Sequence, residues 1–174
     1  APGLGFGYEE AIGFCPDPAH VRDKDGIATS IVAASLVAAL KAQGRSVWDE
    51  LERLARLHGL HVSSPLTFRV EEIEQIANGM ARLRAQPPSV LAGSPVVEVS
   101  DLSQGYRGLP PTDGVLVLTE AGDRVIARPS GTEPKLKCYL EVILPVTEGE
   151  PLPWDQARER LDAIKGAFAE IIGL

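Results

Sequence analysis

The sequence predicts an α+β fold, a mainly antiparallel sheet with packed helices, preceded by a strand-helix-helix stretch. Three observations carry that prediction. Short β-branched runs at 96–99, 114–118, 123–126 and 136–144 follow one another with only turn and loop residues between them, as antiparallel strands do. One segment of helical period stands before this group, at 71–84, and one after it, at 154–171, so helices and strands are segregated and not alternating. Residues 1–60 follow a different pattern, one glycine- and aromatic-rich strand and then two helices.

Taken in order, residues 4–14 mix glycine with aromatics and the adjacent carboxylates Glu9 and Glu10. They read as a short strand running into a loop, which Pro16 and Pro18 prolong. Residues 27–43 form an apolar helix in which Ile31, Ala34, Leu36, Val37, Ala38 and Leu40 are expected to be buried around much of the cylinder. Gly44 ends it. Ser46, with Asp49 three residues on, is an N-cap for a second helix in which Val47, Leu51, Leu54, Ala55 and Leu57 repeat at helical period. The pattern changes at His58-Gly59-Leu60-His61, which divides the chain into 1–60 and 61–174. Beyond it, 62–70 reads as an edge strand because it contains Pro65. Residues 71–84 place Ile73, Ile76, Ala77, Met80 and Leu83 on one helix face, and Pro87-Pro88 stops that helix. The final helix presents Ala157, Leu161, Ile164 and Phe168 on one side.

Composition excludes several classes of function. A formal charge of −7 over 174 residues opposes non-specific binding to nucleic acid or to a membrane surface, both anionic, so neither is an expected partner. No apolar run reaches the roughly eighteen residues a membrane span requires, and no basic-then-apolar leader opens the chain. Cys15 and Cys138 lack metal-ligand spacing and make no disulfide framework; they predict free thiols in a reducing cytoplasm. His20, His58 and His61 are scattered, with no carboxylate partner at ligand spacing, and no Gly-x-Ser-x-Gly elbow exists. Neither a metal site nor a Ser-His-Asp site is expected. The chain opens at Ala1-Pro2-Gly3 and reads as a piece of a longer protein.

The chemistry concentrates in Arg128-Pro129-Ser130-Gly131-Thr132-Glu133-Pro134-Lys135, a loop between two predicted strands. Two prolines stiffen the turn and leave the remaining amides able to converge. Arg128 offers a planar fork of donors, Ser130 and Thr132 add hydroxyls, and Gly131 lets backbone approach a ligand closely. Lys135 and Lys137 add positive charge. Each residue alone is ordinary turn composition; the whole string points to an oxyanion.

This string resembles the phosphate-binding loop of the α-D-phosphohexomutases, the family that includes phosphoglucomutase and phosphomannomutase, where it lies in the last of four domains. A second stretch, Phe6-Gly7-Tyr8-Glu9-Glu10-Ala11-Ile12-Gly13-Phe14 followed by Val21-Arg22-Asp23-Lys24-Asp25-Gly26, resembles the sugar-recognition loop that closes the third domain. The resemblance makes residues 1–60 a remnant of that α/β domain and 61–174 the phosphate-binding C-terminal domain. It implies that Arg128, Ser130, Gly131, Thr132 and Lys137 hold the non-reacting phosphate, and that Glu9 reads sugar hydroxyls, which are good donors to a carboxylate. Ala11 stands where many members carry a hydroxyl-bearing serine, which resembles the branch that includes phosphopentomutases. Lys24 is a candidate phosphate contact or proton carrier; Asp23 or Asp25 could equally cap the following helix.

By the same resemblance the parent moves phosphate intramolecularly between the 1 and the 6 or 5 position of a sugar, through a bisphosphorylated intermediate. It does so with an active-site serine and with Mg2+ held by an aspartate-rich loop. Neither a Ser-His-Asn-Pro run nor an Asp-Gly-Asp-x-Asp loop occurs here, so this piece is expected to bind a phosphorylated sugar without catalysis, its partners being the amino-terminal domains of the same chain. The alternative is a free-standing module that binds a phosphorylated metabolite.

Overall fold

The computed structural model describes residues 3–9, 13–131 and 133–173. They fall into two compact units, Ala1–Arg53 and Leu54–Leu174.

In the first unit, β1 (Gly7–Glu9) and β2 (Gly13–Cys15) form an antiparallel hairpin, where the sequence predicts one strand and a loop. Phe14 joins them, its ring 5.1 Å from that of Tyr8 and 6.4 Å from that of Phe6. The Asp25 amide donates to the Phe14 carbonyl at 2.9 Å, which sets the start of α1 (Gly26–Ala42) beside the hairpin. Asp25 is the N-cap: its carboxylate accepts from the amides of Ile27 and Ala28, each at 3.0 Å. After Gly44, Ser46 and Asp49 form a reciprocal capping box, the Ser46 amide donating to Asp49 and the Asp49 amide to the Ser46 hydroxyl. That box opens α2 (Val47–His58).

The predicted burial of α1 does not hold. Only Leu40 is buried, while Ile27, Ile31, Val32, Leu36 and Val37 stand exposed. A helix apolar on all sides needs neighbours on all sides, and a two-stranded hairpin covers one side at most.

The second unit is built on a six-stranded sheet in the order β3-β8-β7-β6-β5-β4, every neighbouring pair antiparallel. Its strands are β3 (Leu60–Arg69), β4 (Val90–Leu91), β5 (Ser94–Asp101), β6 (Val115–Thr119), β7 (Arg124–Pro129) and β8 (Lys135–Leu144). β3 is an edge strand, and an edge tolerates the donor that Pro65 lacks. β8 alternates without a break, with Leu136, Cys138, Leu140, Val142 and Leu144 buried and the residues between them half-buried.

The buried face meets two helices. α3 (Ile73–Ala85) contributes Ile76, Met80 and Leu83, and α4 (Trp154–Ile172) contributes Ala157, Leu161, Ile164, Phe168 and Ile172. Each large side chain fully withdrawn from water is worth roughly 1.5–3 kcal/mol, so this layer anchors one face of the sheet to the two helices. Ala55 and Leu60 belong to the same core, which explains why the second compact unit begins within α2. Among the described residues of this unit one charged side chain is buried: Asp123 accepts from Arg160 Nε at 2.9 and 3.0 Å, from Arg160 Nη2 at 2.7 Å and from the Thr119 hydroxyl at 3.0 Å.

Candidate functional site

The motif string occupies the connection 130–134 between β7 and β8. Arg128 lies on β7 directly opposite Lys137 on β8, and residues opposite each other across an antiparallel pair point to the same side. Ala127 and Cys138, also opposite one another, are both fully buried, so Arg128 and Lys137 face away from the core. Arg128 is exposed and Lys137 half-buried. Neither has a carboxylate within ion-pair distance among the described residues. Gly131 is exposed, and a Cβ placed there would meet nothing within 4 Å. The space beside Gly131 is therefore unobstructed.

One expected donor is already used. The Ser130 amide donates to the Lys135 carbonyl at 2.8 Å, and the Lys135 amide to the Glu133 carbonyl at 2.7 Å, so the loop closes on itself and only part of its amide set is left for a ligand. The Lys135 ammonium is also engaged, donating to both Glu133 carboxylate oxygens at 2.7 Å. The hydrogen bond from Lys135 is the main cause that holds the Glu133 carboxyl below its ordinary range; the same lysine's charge follows, and the charges of Arg69 and Lys137 add to it. Thr132 lies outside the described residues.

In the first unit, a cavity of about 880 Å³ is lined by Leu4, Tyr8, Glu9, Gly13, Arg22 and Lys24, among others. Lys24 Nζ lies 3.5 Å from Glu9 Oε1, with 60% and 54% of the two side chains exposed. The sequence brought both residues forward for separate reasons, and the fold sets them side by side. Gly13 is the residue that sequence reasoning missed here. It is buried opposite Glu9, and a Cβ on it would lie 2.5 Å from Glu9 Cγ and 2.6 Å from Lys24 Cδ. Glu10 and Ala11 lie outside the described residues.

Two histidines do have carboxylate partners, contrary to the sequence reading. His20 Nδ1 is 2.7 Å from Asp17 Oδ2, and His61 Nδ1 is 3.2 Å from Glu141 Oε1, across the β3–β8 pair. Glu141 also pairs with Arg124 at 2.9 Å. No group of three or more His, Cys, Asp or Glu among the described residues could hold a metal ion. No single helix among them is long and apolar enough to cross a membrane. Both cysteines are free.

The second unit is thus an antiparallel sheet backed by two helices, with a proline-flanked, basic connection at one end. Residues 66–145 match, and place this part of the chain in, the family described as "Phosphoglucomutase/phosphomannomutase, C-terminal domain". The chain is 42% identical over 139 residues to a probable phosphomannomutase of Haemophilus influenzae, covering 80% of this chain and 28% of that protein. It is 34% identical to a phosphoglucomutase of Staphylococcus haemolyticus, covering 79% and 27%, and 27% identical to a phosphopentomutase of Mus musculus, covering 95% and 28%. The chain thus spans a little over a quarter of the length of these curated relatives. Among solved structures, the open form of a Paramecium phosphoglucomutase, parafusin, is similar in fold, with a TM-score of 0.63, 18% identity, and coverage of 98% of this chain and 31% of that one.

Proposed function

We propose that this chain is the sugar- and phosphate-reading portion of a phosphosugar mutase that transfers phosphate between the 1 and the 6 or 5 position of a sugar by way of a bisphosphorylated intermediate. The observation that supports this most is the placement of Arg128 and Lys137, opposite one another on the solvent side of the sheet and beside the open turn at Ser130-Gly131. A guanidinium fork and an ammonium converging there suit the phosphate that is not being transferred, with the Ser130 hydroxyl and, by sequence, Thr132 as further donors. Such a clamp reads phosphate and not sugar, so it accepts either end of an intermediate that must turn around between two transfers.

Glu9 then accepts hydrogen bonds from sugar hydroxyls in the 880 Å³ cavity, and Lys24 beside it offers a donor to the phosphoryl group. Ala11 removes one hydroxyl contact and so relaxes the choice of sugar, which fits relatives that bear phosphomannomutase, phosphoglucomutase and phosphopentomutase names. The serine and the Mg2+ that make the transfer belong, in this reading, to an enzyme of the relatives' length.

The test is binding of glucose 1-phosphate, glucose 6-phosphate, mannose 6-phosphate and ribose 5-phosphate to the chain, followed by phosphorus NMR. The phosphorylated sugars should bind, the parent sugars should not, and Arg128→Gln should weaken binding about tenfold or more. Mutase turnover by the chain alone should be absent. Equal binding of glucose with and without its phosphate would sink the proposal.

A further inference from the structure

Arg69 ends the edge strand β3 and stands directly opposite Lys135, while Thr67 stands opposite Lys137, which stands opposite Arg128. Residues two apart on a strand, and residues opposite each other across a pair, share a face, so Arg69, Lys135, Lys137 and Arg128 make one end of the outer sheet face basic. The end of β3 is also tied to the motif itself, since the Val70 amide donates to the Pro134 carbonyl at 3.1 Å. Four like charges so placed repel one another unless an anion lies among them.

Glu133 satisfies only one of the four. Its carboxylate takes both hydrogen bonds from Lys135, whose side chain is just 14% exposed, so that lysine's charge is used in shaping the loop. Arg69, Arg128 and Lys137 are left with no carboxylate within ion-pair distance among the described residues. Arg69 is exposed, and its field reaches the loop, because it helps to hold the Glu133 carboxyl low. Diagonal neighbours on a sheet face lie roughly 7–8 Å apart, a separation that one phosphate bridges when the side chains are as long as Arg and Lys.

We propose that Arg69 is a further phosphate-binding residue, completing with Arg128 and Lys137 a three-cation clamp for a dianionic phosphate monoester, while Lys135 serves the loop through Glu133 and does not touch the ligand. The proposal rests on the phosphate-binding reading of the motif. It adds a contact from a strand some sixty residues earlier in the chain, at a position that no motif marks. A guanidinium on the far side of Lys137 from Arg128 lets the three phosphate oxygens be held from separate directions.

Inorganic phosphate titrated into the chain, followed by phosphorus NMR, tests this with four variants: Arg69→Gln, Arg69→Lys, Arg128→Gln and Arg124→Gln. Arg124 lies on the same face, away from the loop, and pairs with Glu141 at 2.9 Å, so its loss reports the effect of net charge alone. Arg69→Gln should weaken phosphate about five- to tenfold, Arg69→Lys should lose less, and Arg124→Gln should match the unaltered chain, with circular dichroism confirming that each variant is folded. Should Arg69→Gln bind phosphate normally while Arg128→Gln does not, Arg69 is no ligand and the motif reading stands. Should Arg124→Gln lose as much as Arg69→Gln, charge and not contact is at work, and the inference is again overturned. Failure of the unaltered chain to bind phosphate, or normal binding by Arg128→Gln, removes the motif reading and this inference together.

Discussion

Gly13 lies opposite Glu9 across the β1–β2 pair, and the volume a Cβ would need at Gly13 is already occupied by Glu9 Cγ at 2.5 Å and Lys24 Cδ at 2.6 Å. The missing side chain is what lets the carboxylate and the ammonium share one rim of the cavity. Glu9 Cγ lies one bond beyond its Cβ and Lys24 Cδ in mid-chain, so neither is a free end that swings away easily, and Gly13→Ala is expected to cost about 1–3 kcal/mol as overpacking. Its main effect should be to push both heads aside. Glucose 6-phosphate affinity should therefore fall more than the melting temperature does, and an unchanged affinity would mean that the Glu9–Lys24 contact plays no part in binding.

Arg160→Ala tests the buried pair of the second unit. Asp123 is fully buried and takes three hydrogen bonds from Arg160; removing the guanidinium strands a carboxylate in the core, which costs about 3–5 kcal/mol. Urea unfolding should show that loss, and adding Asp123→Asn to it should recover much of the stability. A loss under about 1 kcal/mol, the value of a surface pair, would show that water reaches Asp123.

Glu50 supplies a pH signature. Hydrogen bonding from Arg53 comes first among the causes that bring its carboxyl from 4.5 down to about 2, and Arg45 adds a second hydrogen bond. A folded-state value below the unfolded one means the stabilisation is complete above pH 4.5 and disappears as pH falls toward about 2. Carbon NMR of the Glu50 carboxyl should titrate with a midpoint near 2, and Arg53→Gln should raise it. A midpoint at the ordinary 4.5 would show that the pair does not persist in solution.

The two thiols should differ in reactivity. Burial pushes Cys138 up to about 12, and only the thiolate is the nucleophile, whereas Cys15 is half-buried. Iodoacetamide near pH 8 should therefore give one adduct by mass spectrometry in the native chain and two in denaturant, with Cys15 modified first. Native alkylation of Cys138 would reveal opening of the core under β8.

Much of the architecture is legible in the sequence because the signals are local. The strand-forming run of β8, the Ser46-Asp49 capping box and the helical stripe of α4 each depend on residues a few positions apart, and each is found where the pattern places it. The exposed α1 is the instructive failure. An apolar composition states what a helix needs and not what the chain provides, and the first unit holds too few elements to surround it.

By itself the sequence determined that a proline-flanked stretch rich in cations and donors, 128–135, joins two strands, since proline positions and side-chain chemistry travel with the residues. Only the tertiary structure decided which of those cations stays available. Strand register put Lys137 opposite Arg128 and Arg69 opposite Lys135, and the loop's own carboxylate, Glu133, engaged one lysine and left the others. Register of this kind joins residues about sixty positions apart through backbone hydrogen bonds that every residue makes alike, so no local pattern of side chains announces it.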